Sequence, residues 1–226
     1  MKIIPYVGGL IIIMFLYLIA WPVPIDPVAW QPPLAPQLEG QYAINNYLAA
    51  VDIIGKNEGI GPEDVDVDDE GRIYGAYLDG TIIRFSANGD NLGVFADTKG
   101  RPLGLDFDTA GNLIIADAKK GLLSANKNGV IRVLATEING IPFGFTDDVD
   151  IGPDGIIYFS DASEKFGVND YRADLFEHRP HGKIISYNPV SENLTLLLDG
   201  LYFANGVAVD PNGQFLLFNE TYDYSV

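Results

Sequence analysis

No cysteine occurs in the 226 residues. Disulfides, thiolate nucleophiles and cysteine-based zinc sites are therefore excluded. Histidine is nearly as scarce, with His178 and His181 the only two. Positive charge is thin: 14 Lys and Arg stand against 31 Asp and Glu, a net charge of −17. Such a chain is repelled by phosphate backbones, which sets nucleic acid aside as a partner. The acids make a solvated surface or, in part, clusters that hold a hard cation. Composition alone leaves both open.

One stretch lacks charge altogether. Between Lys2 and Asp26 no charged residue appears, and Val7 to Trp21 reads VGGLIIIMFLYLIAW. From Ile3 to Trp21 the run approaches the ~20 apolar residues of a spanning helix. Tyr6, Tyr17 and Trp21 suit the interfaces, and Pro22 and Pro24 end the helix. Lys2 precedes the segment and Asp26 follows it. The expected orientation is a cytoplasmic amino terminus with the remainder outside, in the periplasm or at the ER lumen or cell surface. A cleaved signal peptide is the rival reading. The next stretch, PVPIDPVAWQPPLAP from Pro22, is proline-rich and reads as a stiff, extended spacer. The expected organisation is an anchor over 1–21, a spacer over 22–45 and one domain over 46–226.

What is abundant is glycine, at 25, with tyrosine and phenylalanine at 12 each. These favour strands and turns. Four segments share one pattern: PEDVDVDDEGRIYGAY from Pro62, PLGLDFDTAGNLIIAD from Pro102, TDDVDIGPDGIIYFSD from Thr146 and ANGVAVDPNGQFLLFN from Ala204. Each carries a turn glycine: Gly71, Gly111, Gly155 and Gly213. Six and four residues before those glycines lie Val65 and Val67, Leu105 and Phe107, Val149 and Ile151, Val207 and Val209. Apolar residues at period two mark a strand, and apolar residues resume after the turn. The glycine spacings of 40, 44 and 58 residues match propeller blades. The longest contains an insertion, EKFGVNDYRADLFEHRP from Glu164, read as a loop over one face. No amphipathic helix is expected in the domain. About four blades are expected between residue 62 and Val226. Four blades of a larger ring leave open edges, so the chain reads as part of a propeller.

One column of the repeat carries chemistry. Eight residues before the marker glycines stand Glu63, Leu103, Asp147 and Asn205; the next position holds Asp64, Gly104, Asp148 and Gly206. Equivalent positions of successive blades converge on the central axis. Carboxylate and amide oxygens without His or Cys suit a hard cation, above all Ca²⁺. The competing reading is that these residues merely begin strands.

At these residues the chain resembles the strictosidine synthase-like proteins, including the adipocyte plasma membrane-associated protein type. These lie within the wider senescence marker protein, gluconolactonase and paraoxonase group. The resemblance rests on PIDP at Pro24, GPEDVDVDDEGRIY at Gly61, DGTIIRF at Asp79, GRPLGLDFD at Gly100, ADAKKGL at Ala116, FTDDVDIGPDGIIYFSDAS at Phe145, RPHGKIISYNP at Arg179 and LLDGLYFANGVAVDPNGQFLLFNET at Leu197. It implies a six-bladed β-propeller, here truncated to about four blades behind an N-terminal transmembrane helix. In the hydrolytic members an axial Ca²⁺ acts on an ester or lactone.

By that resemblance Glu63, Asp147 and Asn205 are the metal ligands, with Asp64, Asp148 and His181 possible lining of the site. A further ligand, and the glutamate of true strictosidine synthases, would fall in blades beyond Val226. Paraoxonase-like enzymes use a histidine in the second repeat where Leu103 stands, so no catalytic residue is assigned. The expected activity is a calcium-dependent esterase, arylesterase or lactonase acting on small molecules outside the cytoplasm. The alternatives are a non-catalytic membrane-anchored propeller that binds a partner or ligand, and an amine–aldehyde condensing enzyme. Asn193 and Asn219 begin glycosylation sequons.

Overall fold

The computed structural model describes residues 4–226. After an N-terminal helix, α1 (Ile4–Ala20), and an irregular stretch, the chain is a succession of antiparallel sheets. The first has the order β1 (Val65–Val67), β2 (Ile73–Ala76), β3 (Thr81–Phe85) and β4 (Asn91–Asp97). The second has β5 (Pro102–Phe107), β6 (Leu113–Asp117), β7 (Gly121–Ala125) and β8 (Ile131–Ala135) in the same order. A short ribbon, β9 (Glu137–Ile138) with β10 (Ile141–Pro142), follows. The third full sheet is β11 (Thr146–Ile151), β12 (Ile157–Asp161), β13 (Gly182–Asn188) and β14 (Asn193–Leu201). A two-stranded sheet, β15 (Ala204–Val209) with β16 (Leu216–Glu220), comes last. The about four blades expected are thus three complete sheets and a pair of strands.

The hairpin turns explain the repeat. Asp68 Oδ1 accepts the Glu70 and Arg72 N–H groups at 3.0 and 2.9 Å, and Gly71 N donates to Asp68 O at 2.8 Å. Gly71 has φ +75°, a conformation that suits glycine. Asp108 repeats the arrangement with Ala110 and Asn112, and Asp210 with Asn212 and Gln214.

Apolar faces meet between sheets. Tyr74, Ile82, Leu105, Leu113, Ile115 and Leu123 form the core between the first two, and Ile114, Leu122, Val149, Ile157, Phe159 and Ile185 the core between the second and third. Ile184, Leu201, Ala204 and Val207 join the third to β15–β16. Each fully buried side chain of this kind contributes about 1.5–3 kcal/mol. The sheet-to-sheet cores hold β1, β5, β11 and β15 side by side.

Two expectations are corrected. The apolar N-terminal run does form a helix, but α1 has 17 residues, about 25 Å at 1.5 Å per residue. Among the described residues no helix is long and apolar enough to cross a membrane. Ile3, where the spanning run was expected to start, lies outside the described residues. The insertion in the third repeat is not all loop: Tyr171–Glu177 forms a helix, α2. With seven residues it is too short for its periodicity to stand out in the sequence.

The proline-rich stretch is not wholly free of the domain. Asp26 N donates to Glu177 Oε2 at 2.9 Å and Val28 N to Glu177 O at 2.9 Å. Arg179 Nη2 donates to Asp26 Oδ2 at 2.6 Å, and Trp30 lies 4.4 Å from the His178 ring. Residues 26–30 are therefore strapped onto α2 and the chain that follows it.

Candidate functional site

The starts of the four inner strands converge. Glu63, Asp64, Leu103, Gly104, Asp147, Asp148 and Asn205 line one cavity of about 170 Å³. Five of the six site residues expected from the sequence are brought together here. The sixth, His181, is not: its Nε2 stands 2.9 Å from Glu177 Oε1, and it borders a separate cavity with Glu164, Lys183 and Asp199. The family resemblance had made this loop histidine possible lining of the site. The α2 insertion instead turns it toward its own buried glutamate.

Asp147 is 3% exposed and has no hydrogen-bond partner among the described residues. Burial pushes its carboxyl well above the usual range, and the negative charges of Glu63, Asp148 and Asp161 push it further. Glu63 is half-exposed, and its Oε2 lies 3.8 Å from Arg101 Nη2. Asn205 lies two residues after Phe203, an aromatic residue held at φ +58°. Such a conformation in a bulky residue is strained. The Phe203 carbonyl accepts the Thr221 N–H at 3.1 Å, which ties the strained turn to the end of β16.

Asp64 and Asp148 do more than line the cavity. Asp64 Oδ2 accepts the Leu105 N–H at 2.9 Å, and Asp148 Oδ2 accepts the Val207 N–H at 2.8 Å. Each carboxylate reaches from one inner strand to the next. Asp148 is pushed up to about 6, mainly by burial. At the second repeat the position is Gly104, where a Cβ would stand 2.6 Å from Asp148 Oδ1 and 2.7 Å from its Cα. Only glycine lets the two strands approach this closely.

Two residues deeper lies a layer that the column reading missed. Asp66 Oδ2 accepts the Phe107 N–H at 2.8 Å, Asp106 Oδ2 the Ile151 N–H at 2.8 Å and Asp150 Oδ2 the Val209 N–H at 2.6 Å. Asp106 is pushed up to about 7 by burial and by the charges of Asp150 and Asp66. The signal was present: VDV, LDF and VDI put an acid between apolar residues of a strand, facing the other way. A second missed set closes the repeats from the side. Asp117 Oδ1 accepts the Arg101 N–H at 2.9 Å, Asp161 Oδ1 the Phe145 N–H at 2.8 Å and Glu220 Oε2 the Tyr202 N–H at 2.6 Å. Each joins the end of a second strand to the chain entering the first. Asp161 is pushed up to about 7 by burial.

Among the described residues no group of three His, Asp or Glu side chains stands close enough to hold a metal ion by itself. The donor set that fits a hard cation mixes carboxylate and amide: Glu63, Asp147 and Asn205. The unpartnered, buried Asp147 carboxyl is the observation that supports the fit. Of the two sequons, Asn193 is exposed, whereas the Asn219 Oδ1 is buried without a partner.

Successive four-stranded antiparallel sheets with their first strands side by side define a β-propeller fold. Solved structures agree. A gluconolactonase from Xanthomonas campestris superposes with a TM-score of 0.56 over 67% of this chain and 51% of its own, at 19% identity. Virginiamycin B lyase from Staphylococcus aureus superposes with a TM-score of 0.53 over 74% and 51%, at 13% identity. At these identities the likeness is one of fold.

The sequence carries the match further. Residues 40–85 match the family model for the strictosidine synthase-like N-terminal region and residues 147–226 the model for strictosidine synthase. Strictosidine synthase-like protein 4 of Arabidopsis thaliana is 35% identical over 204 residues, which cover 88% of this chain and 54% of the relative. The adipocyte plasma membrane-associated protein of Rattus norvegicus is 32% identical, over 88% of this chain and 57% of the relative. The chain belongs to the strictosidine synthase-like family. It spans about half the length of the curated relatives it matches.

Proposed function

We propose that the axial cavity binds a calcium ion through Glu63, Asp147 and Asn205, and that the chain contributes this site to a hydrolase of small-molecule esters or lactones. The observation that carries the reading is Asp147, a 3% exposed residue whose carboxyl makes no hydrogen bond among the described residues and is disfavoured as an anion by burial. A hard cation is the group that such a residue lacks. The likeness in fold to a gluconolactonase supports the same chemistry. Calcium bound there would polarise a carbonyl oxygen. Asp64 and Asp148 hold the inner strands that present the ligands. Leu103, 2% exposed, supplies no base from the second repeat. Hydrolysis of aryl esters and lactones should therefore require calcium and fall to background in Glu63→Gln. Activity indifferent to a chelator would refute the hydrolase reading.

One observation favours the non-catalytic alternative. The axial cavity, at about 170 Å³, is smaller than the ~300 Å³ at which ligand pockets usually begin. Calcium binding without turnover of an ester panel would select a cation-stabilised binding propeller instead.

We also propose that α1 holds the protein at a membrane surface. Leu10, Ile13, Phe15 and Leu18 are all exposed on it, and exposed apolar patches of this extent mark interaction surfaces. One relative is, by its name, associated with the plasma membrane. Flotation of the chain with liposomes should be lost when Leu10 and Phe15 are both changed to Asp. Retention would place the contact elsewhere.

A further inference from the structure

The second repeat departs from the others twice. In the ligand column it has Leu103 where the other repeats have Glu63, Asp147 and Asn205. Two residues earlier the column reads Gly61, Arg101, Phe145 and Phe203. Phe145 and Phe203 pack with Leu103 and Tyr222 in one apolar cluster beside the axial acids. Arg101 is the single charged member of this outer column.

Its placement is specific. The Arg101 N–H donates to the buried Asp117 Oδ1 at 2.9 Å, and Ala118 N donates to the Arg101 carbonyl at 2.9 Å. The backbone is thus clamped on both sides. The side chain is 11% exposed, and its Nη2 lies 3.8 Å from Glu63 Oε2. Nη1 donates to Pro102 O at 3.2 Å. The guanidinium makes no other hydrogen bond among the described residues, although it has five N–H donors. It leans on Glu63 without gripping it. Its charge also acts on Asp147 and favours the ionised form of that carboxyl.

We propose that Arg101 is an internal counter-cation of the axial site, a built-in rival that sets how weakly or tightly calcium binds. This rests on the calcium reading above. With the site free, the guanidinium partly offsets Glu63 and Asp147. A calcium ion taking those oxygens faces a fixed positive charge, and Arg101 gives up Glu63 as the ion enters. Repeat two thus supplies a cation where the other repeats supply ligands.

A rival and a mere support for Glu63 make opposite predictions. Removing a rival tightens calcium binding; removing a support loosens it. The test is calcium affinity by calorimetry for the whole chain, wild type against Arg101→Met and Arg101→Lys. Met keeps the aliphatic stem and drops the charge, so the apolar packing is retained. Lys keeps the charge. The expected result is about tenfold tighter binding for Arg101→Met, as one charge a few ångströms from the ion implies, with Arg101→Lys close to wild type. The gain should shrink at high salt. Equal or weaker binding by a folded Arg101→Met overturns the inference while leaving the calcium site standing. Absence of binding by all three proteins overturns the calcium reading, and the role of Arg101 with it.

Discussion

Glu177 in the α2 insertion and Asp147 on the axis are both buried carboxyls, and they are held in opposite states. Burial raises the pKa of each. At Glu177 it is outweighed by Lys165 Nζ at 2.7 and 2.6 Å, the Asp26 N–H at 2.9 Å and His181 at 2.9 Å, so the group is drawn down to about 2. Asp147 has no such partners, and its acidic neighbours add to the cost. A buried charge is stable where the protein supplies its counter-charge and costly where it does not. The first arrangement is structural: Glu177 fastens the strap at residues 26–30 to the domain. The second is the site proposed above for calcium.

The sharpest way to break this comparison is to remove each carboxyl. Glu177→Ala leaves Lys165 and the Asp26 N–H without their acceptor in a buried place. It should cost about 3–5 kcal/mol, the range for breaking a buried pair, read as a fall in Tm and faster proteolysis around residues 164–180. Asp147→Asn should go the other way in calcium-free buffer. It removes an unpaired acid and should raise stability by roughly 1–3 kcal/mol, the cost of an unsatisfied buried polar group. A lower Tm for that variant would mean that Asp147 has a protein partner after all.

Acid should separate the two regions. Glu177 has a folded pKa below its ordinary value, so its contribution is present above about 4.5 and is lost as pH falls toward 2. Asp148, Asp161 and Asp106 have folded values raised to about 6, 7 and 7. Between their ordinary value and these, the folded state binds more protons than the unfolded one. Stability without calcium should therefore decline as pH rises from about 4 to 7, and saturating calcium should flatten that decline. Chemical denaturation at a series of pH values, with and without chelator, measures both. The smallest effect concerns the deeper layer. Asp66→Ala strips the Phe107 N–H of its acceptor and should cost about 1 kcal/mol, one ordinary hydrogen bond.

Much of this was legible in the chain. The marker glycines and the period-two residues before them gave the inner hairpins, because a tight turn and a half-buried strand each demand particular residue types. Counting back from Gly71, Gly111, Gly155 and Gly213 placed Glu63, Asp147 and Asn205 in one column, and they do line one cavity. What the column did not show is which acids have partners. Asp66, Asp106 and Asp150 look like its members but spend their oxygens on the backbone of the next strand. The partners of Glu177 are 12 residues away at Lys165 and 151 away at Asp26. No local pattern encodes such a meeting. The meeting of His181 with Glu177 is likewise set by the α2 insertion.

The most direct test of the axial site is a calcium titration of the whole chain by calorimetry, beside Asp147→Asn and Glu177→Gln. The account predicts a single site in the wild type, markedly weaker binding in Asp147→Asn as one ligand charge is lost, and its retention in Glu177→Gln. Binding that survives Asp147→Asn unchanged, or no binding by the wild type, would contradict it.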